Sequence, residues 1–331
     1  MKNYFGSFKA NLEDRKEIYK RRAIYFFSYT LVVILIFLIY LMVTGKKPLS
    51  LIPVKATQQP TYDYSIYGSG DMGEMKNPIG VAVSSDRSRV YVTDSGNQRI
   101  AVFDSQGTPL FTFNKVGKSL LQNPVYLALK SNGNVYVSDT VYSKIAVFDK
   151  NGKFLNFFKT KVKFNPLGLT FGKNGDLYVA DKAGGRVIEF TPEGKKVRFY
   201  GEGGQVKKAD SNPNKLYFPN SVLVLPDGRV LVADSNNQRV IVFKANGKPD
   251  KPIPVNNFVR GLAFTEKGYI LTTKSFLHQI IAIDLSGKPL YTLGEEGPGD
   301  GQFLFPNDVT VVKNIVYIVD RLNNRVQVWS F

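Results

Sequence analysis

Three observations in the sequence predict an all-β chain closed into a six-bladed β-propeller of four-stranded blades. The first is a fifteen-residue pattern, VYVTDSGNQRIAVFD at residues 90–104, which recurs at 135–149, 177–191, 230–244, 270–284 and 316–330. Each copy alternates apolar and polar positions with period two around a polar tight loop and is rich in Val, Ile, Tyr and Phe, as paired strands require. The second is a hairpin glycine after each of the first five copies, at Gly107, Gly152, Gly194, Gly247 and Gly287, spaced 45, 42, 53 and 40 residues apart. Such a period holds about four strands, the content of one propeller blade. The third is that the sixth copy ends at Phe331 after its third strand. The alternating segment Thr61–Tyr67 resembles a fourth strand that has lost its blade, so it is expected to complete the sixth blade and remove two open sheet edges at once.

In chain order, residues 1–22 are a polar, basic tail with seven basic and three acidic side chains. Residues 23–45 follow, 23 uncharged residues reading AIYFFSYTLVVILIFLIYLMVTG. At about 1.5 Å per residue this run spans a hydrocarbon core of about 30 Å, so a transmembrane helix is expected. A cleaved signal peptide carries a shorter apolar run of about 7–15 residues, although Val43-Thr44-Gly45 is an acceptable cleavage site. The basic residues before the span favour an N-terminus inside the cell and a C-terminal domain outside it. Residues 46–60 contain three prolines and no periodicity, the composition of a short stiff stalk. The propeller occupies residues 61–331. Its blades open on similar strands, NPIGVAV at 77–83, NPVYLAL at 123–129, NPLGLTF at 165–171, FPNSVLV at 218–224, FVRGLAF at 258–264 and FPNDVTV at 305–311. Their small residues, Gly80, Ala82, Ala128, Gly168, Gly261 and Ala263, suit a crowded axis, and proline is tolerated at a strand's first residue.

The D-x-x-N-x-R pattern before an apolar strand, the G-x-G connection and the F-x-x-P opening of the next blade resemble the NHL repeat, over about 270 residues. The resemblance implies a six-bladed propeller, and it leaves function open. Relatives serve as protein-binding platforms, RNA readers, extracytoplasmic sensor domains and, in one case, a metal-dependent lyase. Blade five departs most from the pattern.

The repeated acids and bases are read as structural pairs. Asp94, Asp139, Asp181, Asp234 and Asp320 are followed five residues later by Arg99, Lys144, Arg186, Arg239 and Arg325. In blade five both partners change together, to Lys274 and Gln279, as a structural pair would. Enzyme chemistry is not expected. His278 is the sole histidine and cysteine is absent, which excludes a three-histidine metal site within one chain, a thiolate site and disulfides. A triad would depend on that one histidine, in a blade-five loop. The GEGGQ and GPGDG stretches connect blades and form no phosphate loop. Asn220, Asn307 and Asp308 offer oxygens near the axis, as in gluconolactonase-like calcium propellers, but an acid-rich cluster is missing. No metal and no cofactor is therefore expected; a lactonase- or lyase-like metal enzyme is the alternative.

Binding is the expected function class. The residue after each blade-opening proline, or its equivalent, is Ile79, Val125, Leu167, Asn220, Arg260 and Asn307; the next is Gly80, Tyr126, Gly168, Ser221, Gly261 and Asp308. Tyr126, Asn220, Arg260, Asn307 and Asp308, with the loop residues Tyr142, Lys182, Phe276 and His278, are the candidate ligand-binding set at the channel mouth; aromatics beside cations anchor peptides or sugars. The opposing reading is that Tyr126 plugs the channel and Phe276 packs locally. The chain's net charge is +17, of which +13 follows the span, with lysines concentrated at residues 150–163 and 195–215. Such a surface attracts anionic lipids, acidic wall polymers or acidic proteins. Nucleic acid is disfavoured because the expected topology places the propeller outside the cytoplasm; an inverted topology would restore an RNA-binding reading. The expectation is a single-pass cell-membrane protein whose extracytoplasmic propeller binds a protein, peptide or glycan.

Overall fold

The computed structural model describes Lys20, residues 28–32 and residues 58–331. Residues 28–32 are helical. Among the described residues no helix is long and apolar enough to cross a membrane. The rest of the expected span at 23–45, nearly all of the tail and residues 46–57 of the stalk lie outside the described residues.

The unit Gln58–Phe331 is a six-bladed propeller. Blade one runs from the axis outward through Val81–Val83, Val90–Asp94, Arg99–Phe103 and Pro109–Phe113. The other inner strands are Pro124–Leu129, Pro166–Phe171, Pro219–Val224, Leu262–Phe264 and Pro306–Val312. The sixth blade takes its outer strand from the N-terminal end of the unit. Thr61–Ile66 pairs antiparallel with Arg325–Ser330, Ile66 opposite Val326 and Thr61 opposite Ser330. The Ser330 hydroxyl donates to Asp63 at 2.9 Å, and Tyr62 packs edge-on against Trp329. Ring closure is as the sequence predicts.

Each blade buries both of its faces against its neighbours, so its middle strands are largely apolar and buried on both faces. Ile100, Ala101, Val102 and Phe103 are all inaccessible to solvent. Ala101 and Phe103 pack with Ile66, Tyr317 and Val328 of blade six, whereas Ile100 and Val102 pack with Val137 and Phe148 of blade two. The five hairpin glycines all have φ between 81° and 90°, the conformation their turns demand. The polar loops reuse it in a less obvious place. The residue just before each repeat base has a positive φ, namely Gln98, Ser143, Gly185, Gln238, His278 and Asn324.

The acids and bases flanking these loops meet in four blades. Arg99 lies 2.7 Å from Asp94, Arg186 3.0 Å from Asp181, Arg239 2.7 Å from Asp234 and Arg325 2.7 Å from Asp320. Each acid also accepts the backbone N–H that leads into its own blade's inner strand, that of Lys76, Gln122, Asn165, Tyr217 or Leu304. The pairs therefore staple the blade connections as well as their own loops. Blade two departs from the expectation: Lys144 sits 4.9 Å over the Phe157 ring, while Asp139 turns its carboxylate to the amides of Gln122, Asn123, Val141 and Tyr142. A flexible ammonium lacks the planar fork that holds a guanidinium to a carboxylate.

Candidate functional site

The inner strands converge on an axis divided by alternation. A Cβ on Gly80 would lie 2.8 Å from the Val125 carbonyl, one on Gly168 2.6 Å from the Asn220 carbonyl, and one on Gly261 2.6 Å from the Val309 nitrogen. Blades one, three and five therefore carry glycine where blades two, four and six carry Tyr126, Ser221 and Asp308, and the ring is built of three blade pairs.

Tyr126 takes the space this leaves. It is 4% exposed and reaches across the axis from blade two. Its hydroxyl donates to Oδ1 of Asn220 in blade four at 2.8 Å and accepts from Nδ2 of Asn307 in blade six at 3.1 Å. The same Asn307 nitrogen donates to the Ile79 carbonyl of blade one at 2.9 Å. Burial drives the Tyr126 phenol well above its ordinary pKa, so it stays a neutral donor. Tyr126 is the plug of the channel.

Below it a cavity of about 230 Å³ follows the inner strands, lined by Tyr126, Leu169, Ser221, Leu262 and Asp308 among others. Asp308 accepts from the amides of Val81 at 3.1 Å and Val309 at 3.0 Å. Burial pushes its carboxyl up to about 7. Asn220, Asn307 and Asp308 do not fit a calcium site. The Asn220 oxygen accepts from Tyr126 and both Asp308 oxygens accept from backbone amides, which leaves Oδ1 of Asn307 as the one unused oxygen of the three side chains, whereas calcium takes six to eight converging oxygens. Among the described residues no group of three acids or histidines is gathered for a metal.

Above Tyr126 the mouth is basic and aromatic. Arg260 lies 5.2 Å and Arg321 5.6 Å from the centre of the Phe305 ring. Phe276, 54% exposed, stands edge-on between Phe258 and Phe305. Phe305 adopts φ 59°, a left-handed conformation rare for a bulky residue, and its amide donates to Nδ1 of His278 at 3.0 Å. Arg321 donates to Oδ1 of Asn77 at 2.6 Å, and burial together with the nearby Arg260 charge lowers its pKa.

The candidate set thus divides. Tyr126, Asn220 and Asn307 form the floor of the mouth, Arg260, Phe276 and His278 belong to its wall, and Asp308 faces the cavity beneath. Tyr142 and Lys182 stand apart from this cluster, although Lys182, which follows the repeat acid Asp181, holds in blade three the register position of Arg321 and lies over Phe218 as Arg321 lies over Phe305. Tyr142 donates to the Leu120 carbonyl at 2.9 Å and packs edge-on against Phe157 of its blade's outer strand; Lys182 lies 5.0 Å over Phe218. Both are held by contacts of their own blade connections. Arg321 and Phe305 were missed. Arg321 follows the repeat acid, where blades one, two, four and five have Ser95, Thr140, Ser235 and Ser275 and blade three has Lys182, so a second cation at this position was a readable signal.

Comparison with known proteins agrees with this architecture. A family model for the SMP-30/Gluconolactonase/LRE-like region matches residues 70–183, and one for the NHL repeat matches residues 216–243. The NHL-repeat match covers one repeat, that of blade four. No curated protein matches the chain. Among solved structures, a streptogramin B lyase superposes with a TM-score of 0.59 at 16% identity, over 82% of this chain and 98% of that one. A catalytically inactive virginiamycin B lyase from Staphylococcus aureus with quinupristin gives 0.59 at 16% identity, over 81% and 98%. A nidogen/laminin complex gives 0.56 at 18% identity, over 66% and 80%. These likenesses are likenesses of fold.

Proposed function

We propose that the chain is a binding module tethered to a membrane through residues 23–45, with its propeller outside the cytoplasm presenting the channel mouth to a protein, peptide or glycan. The observation that carries this reading is the Tyr126 plug. With its hydroxyl committed to Asn220 and Asn307, the mouth is a shallow basic and aromatic platform over a closed floor, a surface for holding a group. The tether is supported by the 23 uncharged residues and the basic residues before them. A Glu266→Cys variant gives the cysteine-free chain one thiol on an exposed turn. A membrane-impermeant thiol reagent should label it in intact cells, and a photo-crosslinker at Phe276 should capture a partner there. Labelling only after lysis would reverse the topology and bring RNA forward.

A second reading, a lyase- or lactonase-like enzyme, has one observation in its favour: Asp308 lines a cavity on the axis and holds a proton near neutrality there, on a fold similar to that of a streptogramin B lyase. It requires the full chain to consume quinupristin and Asp308→Asn to stop it.

A further inference from the structure

The mouth carries charge and hydrogen-bonding capacity that the fold does not use. Among the described residues neither Arg260 nor Arg321 meets a carboxylate within 4.0 Å, although both flank one phenylalanine ring. Nε of Arg260 is buried without a partner, and so are Nδ2 of Asn220 and Oδ1 of Asn307. These two asparagines are only 2% and 0% exposed. Leaving such groups unpaired costs about 1–3 kcal/mol each, so these three atoms call for a partner, supplied by water or by a ligand.

The direction of the hydrogen bonds defines what that ligand must offer. Asn307 has to present its amide nitrogen to the Ile79 carbonyl, a pure acceptor, which fixes Oδ1 as the unused atom. The proton chain then runs from Asn307 through the Tyr126 hydroxyl to Oδ1 of Asn220, which fixes Nδ2 of Asn220 as an unused donor. One unused donor and one unused acceptor thus belong to two side chains that meet at the Tyr126 hydroxyl. A bare anion would answer the donors and leave Oδ1 of Asn307 unmatched. A carboxylate with an N–H two bonds from its carbon answers both, and that is the last residue of a peptide chain. Phe276, Phe305 and the half-buried Ile79 supply apolar surface for that residue's side chain.

We infer that the channel mouth binds the C-terminal carboxylate of a peptide or protein whose last residue is apolar. Arg260 and Arg321 hold the carboxylate, Nδ2 of Asn220 gives it a further hydrogen bond, and Oδ1 of Asn307 accepts the terminal amide N–H. The inference rests on the mouth being the binding face proposed above, and it names the group bound there. Bidentate guanidinium–carboxylate contacts supply the orientation as well as the affinity.

The test uses the full chain in detergent micelles and the peptide acetyl-Gly-Gly-Phe, titrated once with a free carboxylate and once as the C-terminal amide. The free acid should bind, with amidation weakening it by at least about tenfold, the worth of a charge-assisted hydrogen bond. Arg260→Gln and Arg321→Gln should each weaken it about as much while leaving the amide's affinity unchanged. Phe276→Ala, at an exposed position, serves as the variant whose folding is not in question and should also weaken the acid. Equal binding of acid and amide, with a crosslinker at Phe276 still labelling the peptide, would overturn the carboxylate and leave the platform. Failure of both forms to label from Phe276 would remove the platform as well. Binding of galacturonate in preference to the peptide would overturn the peptide assignment in favour of an acidic sugar.

Discussion

Asp308 keeps a carboxyl buried at the axis with only two backbone amides for company, and burial pushes it up to about 7 from an ordinary 3.8. Between those values the folded chain holds a proton that the unfolded chain has released. Stability from this group is therefore fully present below about pH 4, falls as pH rises toward 7, and is flat above that. Ionising the group in the fold costs up to about 4 kcal/mol at pH 8 by the same linkage. Asp308→Asn, which keeps the shape and the acceptor for Val81 N–H, should leave stability at pH 4 nearly unchanged and raise it by about 2–4 kcal/mol at pH 8. Denaturant melts at the two pH values would show this, and a parallel pH dependence in both proteins would refute it. The residue scale was the least legible in the sequence. Tyr126 stood out because its neighbours in register are small, yet whether its hydroxyl faced solvent or crossed the axis depended on Asn220 and Asn307, 94 and 181 residues away. Arg260 and Arg321 come from different blades, and nothing in local spacing tells that they share one phenylalanine.

At the scale of the loop and its flanking strands, one acid does two jobs. Asp234 holds Arg239 and takes the amide of Tyr217, while Arg239 reaches past it to the carbonyls of Ala209 and Asn212 in the long connection. Burial pushes the Asp234 carboxyl up despite the adjacent guanidinium, so desolvation outweighs attraction, and the pair contributes order more than net stability. Breaking it is another matter. Asp234→Ala would strand a guanidinium that is 0% exposed, at a cost of about 3–5 kcal/mol and with the connection at residues 205–216 opened to protease. Asp181→Ala, which frees a base that is already 28% exposed and can turn to water, should cost less, about 1–2 kcal/mol. Equal losses in the two variants would show that exposure does not set the worth of the pair. The pairing was readable from the five-residue spacing and from the joint loss in blade five. What the spacing could not show was the second bond to the preceding connection, because that partner lies 16–18 residues upstream of the acid.

The ring itself depends on one strand from the start of the domain. Thr61–Ile66 covers the edge of Arg325–Ser330, and it also places Ile66, 1% exposed, into the apolar layer between blades six and one. Beyond the strand, the Tyr67 hydroxyl accepts from Arg325 at 2.9 Å, so the same clasp reaches the blade-six ion pair. This much was legible because an incomplete last repeat and an orphan first strand have a single economical solution, whereas the lengths of the inner strands, set by how tightly the glycines of alternate blades approach, were not. Replacing residues 61–67 with a Gly/Ser segment of equal length keeps any tether intact while removing the clasp. The loss of Ile66 and of the half-buried Tyr62 and Tyr64 amounts to about 5 kcal/mol of apolar burial, comparable with the whole stability of a marginal domain. The replaced chain should melt earlier, expose blade six to protease first and associate through its open edge as concentration rises. A peptide of sequence TYDYSIY, added in trans, should reverse all three, because it restores the same ladder and the same buried isoleucine. A replaced chain that melts with the wild type would mean the five complete blades hold the ring without the clasp; early melting without rescue would mean that covalent continuity, and not edge pairing, is what closes it.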